Sequence, residues 1–584
     1  MSQCAEGDNP CAASSAVGLV FRASFASEPY GARRGVNCPR NDGAWLCLAL
    51  GLAALANASG MFVTILEPDS ALYATIAKTM VERHDFVNLF AAGQDWLDKP
   101  HLPFWLSAIS FSIFGFSAWA YRLPALILVF VAAFYTYLFA RQFYERRIAL
   151  AAAIIFLSAQ HIITSSSDVR AEAYLTAFVI GSVYHFYQEN RYGSHANLVA
   201  GSLLAAAAVM TKGIFTLVPI GGAMGGGLLL SRQWAQAFHV RWLAATLLIF
   251  LFISPEIYCL WRQFDSHPEK SVFGAVGVSG LRFFFWDSQF GRFFGVGPIR
   301  GEGDPLQYLH VVLWAFLPWS IALYAAVYDA IRKFFSRRPR ASEYFNLSGG
   351  LLTFLLFSAS QFQLPHYLNI AFPFFAILTS SFLFGLTPAS ERLAHIWQWL
   401  IVGVAFAICV TLHLALQPND RAAPAALLAT ATLLLATLQI RTWRQWQSQL
   451  ITILATAYCF ANLFLYGYIY PALLKYQAGS EMAAYLNEHY PGRPVLQPRN
   501  SYSWALDFYL QAPVTAIDDS TLWEGRTSEG ALVYAPAGVL GPLNDKFRLL
   551  HRAANYPVSR LTLTFLNPPT RERAVTEAWV VQAQ

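Results

Sequence analysis

EPDSALYATIAKTMVERHDFVNLFAAGQDWLDKPHLPFW, residues 67–105, is a polar, charge-bearing stretch directly behind the first long apolar segment of the chain. Its surroundings decide how it is read. Of 584 residues 56% are hydrophobic and only 13% charged, and the mean hydropathy is +0.40. A soluble multi-domain protein of this length does not carry that balance. The chain therefore reads as a polytopic α-helical membrane protein, and residues 67–105 as part of a large loop at the membrane exit.

Outward from that loop, apolar stretches long enough to cross a hydrocarbon core of about 30 Å recur near 44–66, 121–140, 148–163, 172–188, 197–210, 213–231, 242–262, 307–330, 347–360, 366–386, 396–416, 424–440 and 450–471, about thirteen transmembrane helices in all. Lys and Arg gather in short loops on the cytoplasmic side of membrane proteins. With the N-terminus inside, that side receives RQFYERR (141–147), IRKFFSRRPR (331–340) and RTWRQW (441–446), while the short loops opposite hold only Arg170, Lys212 and Arg421. The outer face then carries the loops 67–120 and 263–306 and the tail from 472. The net charge of +6 is spent on topology and gives no footprint for nucleic acid.

The two ends differ from the middle. Residues 1–42 are a polar extension, expected to be disordered, without the basic-then-apolar order of a signal peptide, so the first span is expected to act as an uncleaved anchor. In the tail, 472–584, RPVLQP, PVTAID and ALVYAP are short, β-branched and bounded by Pro or Gly, and SEMAAYLNEHY has helical spacing. A small α/β domain is expected there. The seven cysteines (Cys4, Cys11, Cys38, Cys47, Cys259, Cys409, Cys459) form no CxxC pair, which gives neither a disulfide framework nor a metal site.

Within the first outer loop, Pro68 suits a first helical turn, and Leu72, Ile76, Ala77 and Met80 make one apolar stripe, predicting an amphipathic helix lying on the membrane surface. FWLSAISFSIFGF, ending at Gly115, is too short to span and predicts a second interfacial helix. Asp69 falls in the first turn of the first helix, where the dipole favours a carboxylate in any case. Glu67 shares that position, and Tyr73 lies four residues on, on the same face as Asp69. Trp96, Asp98 and Lys99 precede Pro100. A Lys here either snorkels to headgroups or captures a lipid phosphate, and Pro100 and Pro103 would hold its backbone in a fixed shape.

Asp168, Arg170 and Glu172 crowd an outer span end, where ionisable groups are costly against lipid. They either pair with one another, as Arg170 with Glu172, or line a wet cavity. QFQLPHY (361–367) offers His366 and Tyr367. FFFWDSQFGRFF (283–294) reads as an aromatic belt, with Asp287 and Arg292 as its polar exceptions. No GxGxxG, Walker loop or HExxH is present, so a nucleotide partner finds no support.

Taken together, the acidic motif after the first span, W-L-D-K-P, the outer R-x-E, M-T-K-G at 210–213 and Q-L-P-H-Y resemble the membrane glycosyltransferases of the GT-C fold. The resemblance is to the branch of bacterial aminoarabinose transferases that modify lipid A, related to the protein O-mannosyltransferases, and it covers roughly residues 44–472. It implies a polyprenyl-phosphate-linked sugar donor, a lipid or glycan acceptor, and transfer on the periplasmic face of the bacterial inner membrane. The general base of the family falls on Asp69, with Ser70 where relatives have Glu and Glu67 as the compensating carboxylate. The donor phosphate is assigned to Lys99 with Arg292 or Arg170. Substrate contacts are assigned to Tyr73, Trp96, Asp98, Asp168, Glu172, His366 and Tyr367. Gln363 replaces a family Lys, and Gln289 stands at the position of a family His, which weighs against the metal site of relatives. A divalent metal stays open, and no other cofactor is needed because the lipid phosphate is already activated. A transporter or lipid flippase is the reading from another class; the lack of a convincing internal repeat and the clustering of polar groups at span ends favour the enzyme.

Overall fold

The computed structural model describes residues 40–336, 341–417, 422–524 and 527–584. The expected disordered extension, apart from its last three residues, lies outside the described residues, as do residues 337–340 of the basic tract and Arg421. Residues 40–42 already belong to the first helix, where Asp42 is buried and accepts a hydrogen bond from the Gln445 backbone at 3.3 Å.

The helices include α1 (Arg40–Ala58), α2 (Asp69–Arg83), α3 (Leu102–Phe114), α4 (Ala118–Arg141), α5 (Arg146–Ser158), α6 (Gln160–Ser167), α7 (Ala171–Tyr192) and α8 (His195–Lys212). They continue with α9 (Arg241–Phe252), α10 (Ser254–Leu260), α11 (Ser320–Phe335), α12 (Ala341–Ala359), α13 (Phe372–Gly385), α14 (Glu391–Leu416), α15 (Ala422–Ile440), α16 (Trp446–Phe464), α17 (Ala478–His489) and α18 (Trp504–Tyr509). The thirteen apolar stretches are mostly helical, but the first leaves helix at Ala58 and those near 148–163, 242–262 and 307–330 are broken. Six helical segments are long and apolar enough to cross a membrane, or seven when the α5–α6 pair, bent by 55°, counts as one.

Small residues let these helices approach closely. Ala49, Ala53 and Ala56 of α1, and Ala151 and Ala152 of α5, are fully buried where α1 packs on α5 and α16. The bend between α5 and α6 exposes backbone groups that only protein can satisfy at this depth. The Leu157 carbonyl accepts from Asn57 Nδ2 at 2.7 Å and the Gln160 backbone donates to the Leu317 carbonyl at 3.0 Å; beside them the side-chain oxygens of Ser158 and Ser165 accept from Trp319 Nε1 at 2.9 Å and Asn369 Nδ2 at 2.7 Å. Arg122, fully enclosed on α4, gathers the outgoing chain: its guanidinium donates to the carbonyls of Ser167, Met61, Val63 and Thr64.

The helix from Asp69 differs from its expectation. Its Ile76 and Met80 pack with Phe104 and Ala108 of α3, as the apolar stripe predicts. The other side is also covered, with Ala71, Ala74, Thr75 and Lys78 buried against α18 of the tail. The helix is thus an enclosed layer between α3 and the tail, not an element lying free on a surface. The expectation missed this because the burying partner is more than 400 residues away in sequence.

The tail builds a five-stranded mixed sheet of β1 (Val495–Pro498), β2 (Val514–Ile517), β3 (Leu532–Pro536), β4 (Phe547–Asn555) and β5 (Thr576–Ala583), in the order β2-β1-β3-β5-β4. The three segments read from sequence are β1, β2 and β3, which are parallel, with Val495 facing both Val514 and Leu532. β5 joins antiparallel to β3, and β4 to β5, with a bulge between Leu549 and His551.

Candidate active site

Asp69 opens α2, and its side chain is 42% exposed. Its partner is Arg170, the residue in extended conformation just before α7. The same guanidinium donates to Asp168 Oδ2 from Nε at 3.2 Å and from Nη2 at 3.0 Å. Burial alone would weaken the Arg170 charge, but Asp168 and Asp69 outweigh it and raise the proton affinity of the group. Arg170 and Glu172 do not pair with each other, contrary to one reading of the sequence.

Asp98 binds two cations, Lys99 Nζ at 2.9 Å through Oδ2 and Arg292 through Oδ1. Burial would raise its carboxyl, yet Lys99 and Arg292 prevail and bring it down to about 2. The corner that carries Lys99 is non-helical, as the prolines predict, although Pro103 sits inside the first turn of α3. Its rear is fixed by His101, wholly buried. Glu256 accepts from the His101 backbone at 3.0 Å and meets Nδ1 at 3.0 Å, and the Val87 carbonyl faces Nε2 at 3.0 Å. Two acceptors on one imidazole, one a carboxylate, pin the ring and the Lys99–Pro100 backbone beside it.

In the third group Glu172, His366 and Tyr367 were read from sequence as substrate contacts, whereas Lys212 was not read as a site residue. Lys212, the last residue of α8, pairs with Glu172 at the start of α7 and lies 3.2 Å from the centre of the Tyr367 ring. His366 Nε2 is 3.8 Å from the other Glu172 oxygen. The only signal was M-T-K-G: Gly213 has φ 110°, a conformation suited to glycine, and it turns the chain so that Lys212 ends its helix inside the protein.

These groups line two adjoining chambers. One is largely apolar, walled by Phe215, Phe283, Phe284, Phe357 and Ile370. The other holds Asp69, Tyr73, Arg170, Glu172 and His366. Asp98, Lys99, Lys212, Arg292, Phe362 and Tyr367 line both, so three cations stand at the junction.

Three predicted residues stand elsewhere. Trp96 packs edge-on against Phe104 at 5.4 Å and Tyr73 at 6.2 Å, and lines neither chamber. Glu67 faces the tail, accepting from Ser503 Oγ at 2.7 Å and from the Ala505 backbone at 2.6 Å. Burial raises its carboxyl, partly offset by those hydrogen bonds. A carboxylate committed to the tail does not stand in for the missing Glu at Ser70. Asp168 is one layer back, engaged with Arg170.

The family substitutions also have local reasons. Gln363 accepts from the Asp304 backbone at 3.0 Å and donates to the carbonyls of Phe357 and Ser358 at 3.0 and 3.1 Å. Gln289, in the helical turn 283–291, donates to the Lys212 carbonyl at 3.0 Å and accepts from the Phe215 backbone at 3.4 Å. That amide is used in tying the loop to the end of α8. Among the described residues no three His, Cys, Asp or Glu side chains cluster as metal donors; Asp69, Asp98 and Glu172 each face a cation, and Glu256 is taken up by His101. The residues do not fit a divalent metal.

Residues 98–259 match the family model of dolichyl-phosphate-mannose-protein mannosyltransferase. An uncharacterised protein of Aquifex aeolicus is 25% identical over 351 residues, 58% of this chain and 64% of its own. The undecaprenyl phosphate-alpha-4-amino-4-deoxy-L-arabinose arabinosyl transferase of Pseudomonas aeruginosa PAO1 is 27% identical over 330 residues, covering 55% of this chain and 56% of that one. The matched segments thus take in less than two thirds of these relatives' length. The crystal structure of ArnT from Cupriavidus metallidurans bound to undecaprenyl phosphate superposes with a TM-score of 0.72 at 17% identity, covering 92% of this chain and 98% of that one. The protein has the GT-C fold; it resembles the bacterial aminoarabinose transferases in sequence over about half of its length and the protein mannosyltransferase family model over residues 98–259, and it shares the fold of ArnT over nearly its whole length.

Proposed function

We propose that this protein is a membrane glycosyltransferase that moves a sugar from a polyprenyl-phosphate donor to a lipid or other cell-envelope acceptor. The observation that carries the reading is the junction of the two chambers. An apolar chamber suited to a polyprenyl chain meets a polar chamber holding a carboxylate, and Lys99, Lys212 and Arg292 stand between them. A lipid phosphate at that junction would have its chain on one side and its sugar on the other. The named substrates of the relatives, undecaprenyl phosphate and aminoarabinose, agree with that division in kind.

Asp69 is the base. It removes the proton from an acceptor hydroxyl as that oxygen bonds to the anomeric carbon, and the carbon–oxygen bond to the phosphate breaks, leaving polyprenyl phosphate with the electron pair. Lys99 and Arg292, helped by Lys212, stabilise the charge gained by the leaving phosphate. Arg170 holds Asp69 toward the chamber and stands within reach of the same phosphate. One displacement with one base inverts the anomeric carbon. Asp98 organises the cation pair, and Tyr73, Glu172, His366 and Tyr367 shape the polar chamber.

In the same reading the protein crosses the inner membrane thirteen times, with residues 43–471 as the transferase domain and 472–584 as a periplasmic α/β domain. The basic segments 141–147 and 441–446 face the cytoplasm. The test is turnover of purified protein with polyprenyl-phosphate sugars and an envelope acceptor. Asp69→Asn is expected to lose about 10²–10⁴-fold in kcat; turnover equal to the parent overturns the assignment of the base.

A further inference from the structure

The segment leading into the base-bearing helix is gripped by the tail from both sides. The Tyr509 hydroxyl accepts from the Ile65 backbone at 2.8 Å, and Gln477 takes the next two positions, donating to the Ile65 carbonyl at 2.9 Å and accepting from the Glu67 backbone at 3.0 Å. The Glu67 carboxylate then accepts from Ser503 and Ala505, just ahead of and inside α18. Past Asp69, Lys78 reaches the other end of the same short helix. Its ammonium, 6% exposed, donates to the carbonyls of Asp507, Phe508 and Leu510 at 2.8, 3.1 and 2.9 Å. Those three bonds satisfy every donor an ammonium has.

Asp69 lies between these two attachments, and its own carboxylate is left to Arg170 and the chamber. Resting on α3 alone, the helix would have one side unsupported and room to tilt, and a displacement of about 1 Å at a reacting group costs roughly 10²-fold in rate. We propose that Glu67 and Lys78 are positioning residues, and that the tail, through α18, is the seat that holds the Asp69 helix in register with the donor phosphate. The inference rests on Asp69 being the base. It assigns Glu67 a role distinct from that of a second catalytic carboxylate.

The test uses the full-length protein, in detergent or nanodiscs, as parent, Glu67→Gln, Glu67→Ala and Lys78→Met. Hydrogen exchange of the peptides spanning 66–80 is read alongside kcat and the donor KM. Gln keeps an oxygen that accepts from Ser503 and Ala505, so Glu67→Gln should hold exchange at the parent level and retain at least half of kcat. Glu67→Ala and Lys78→Met should accelerate exchange across 66–80 and lower kcat at least tenfold, with the donor KM changed less than threefold. Two results overturn the proposal: Glu67→Gln losing turnover as fully as Glu67→Ala with exchange unchanged, or Glu67→Ala matching the parent in both readouts. If the parent itself transfers no sugar, the proposed reaction falls, and exchange alone decides whether the clamp exists.

Discussion

Lys212 is held by three different kinds of contact at once: the Glu172 carboxylate, the face of Tyr367, and Gln289 on its own carbonyl. Removing the ammonium alone leaves Glu172 buried without its cation, which destabilises beyond the loss of the pair. Lys212→Met is therefore expected to lower both the melting temperature and the affinity for polyprenyl phosphate, the latter about ten- to hundredfold for one charged hydrogen bond. Adding Glu172→Gln should return the melting temperature toward the parent without restoring affinity; thermal unfolding and lipid binding measured on the same samples separate the two. Asp98 allows a prediction in pH. Its carboxyl is near 2 in the folded protein against an ordinary 3.8, so the stability it contributes is fully present above about pH 4 and is lost as pH falls toward 2. Between pH 5 and 8 Asp98 stays ionised, so an acid limb in kcat within that window comes from another group and should still be present in Asp98→Asn. At this scale the sequence was informative about identity but not about company. Asp69, Lys99, Arg170 and His366 stand out as ionisable groups at span ends, whereas nothing local reveals that Glu67 faces the tail or that Lys212 meets Tyr367, because those contacts are made between segments far apart in the chain.

Among the elements, α8 and the turn after it set where the junction cations stand. A Cβ on Gly213 would lie 2.1 Å from Gln289 Nε2, and its φ of 110° is strained for any other residue. Gly213→Ala is expected to break the link between 283–291 and α8 and to weaken donor binding; an unchanged dissociation constant would refute that role for the turn. Arg122 has the same logic one layer deeper. It serves four carbonyls from inside α4, and each buried acceptor left unpaired costs about 1–3 kcal/mol, so Arg122→Met should unfold at markedly lower temperature in detergent with Asp69 itself unaltered. The helices were legible because apolar length is a local property. Breaks such as the 55° bend at Ala159 were not, since they depend on polar partners, Asn57 and Trp319, contributed by distant segments.

For the whole molecule, the alternation of basic loops makes a directional claim that chemistry can check. In a cysteine-free background, Glu302→Cys is expected to react with a membrane-impermeant maleimide in intact spheroplasts, and Glu145→Cys only after lysis; the reverse pattern would invert the proposed orientation. The parallel half of the tail sheet was readable from three short β-branched segments, while β4 and β5 escaped because their pairing is antiparallel and non-local, with alternation interrupted by charged residues such as Arg548, Arg552 and Glu577. The two-chamber cavity is likewise a property of the assembled bundle. Its division has a kinetic consequence under the proposed reaction. Once the sugar has gone, the spent carrier keeps its hydrocarbon chain in the apolar chamber and its phosphate among the junction cations, and it loses only the contacts of the sugar. Free polyprenyl phosphate should then compete with the donor at comparable affinity, and departure of the carrier sideways into the bilayer, not bond cleavage, should limit the cycle.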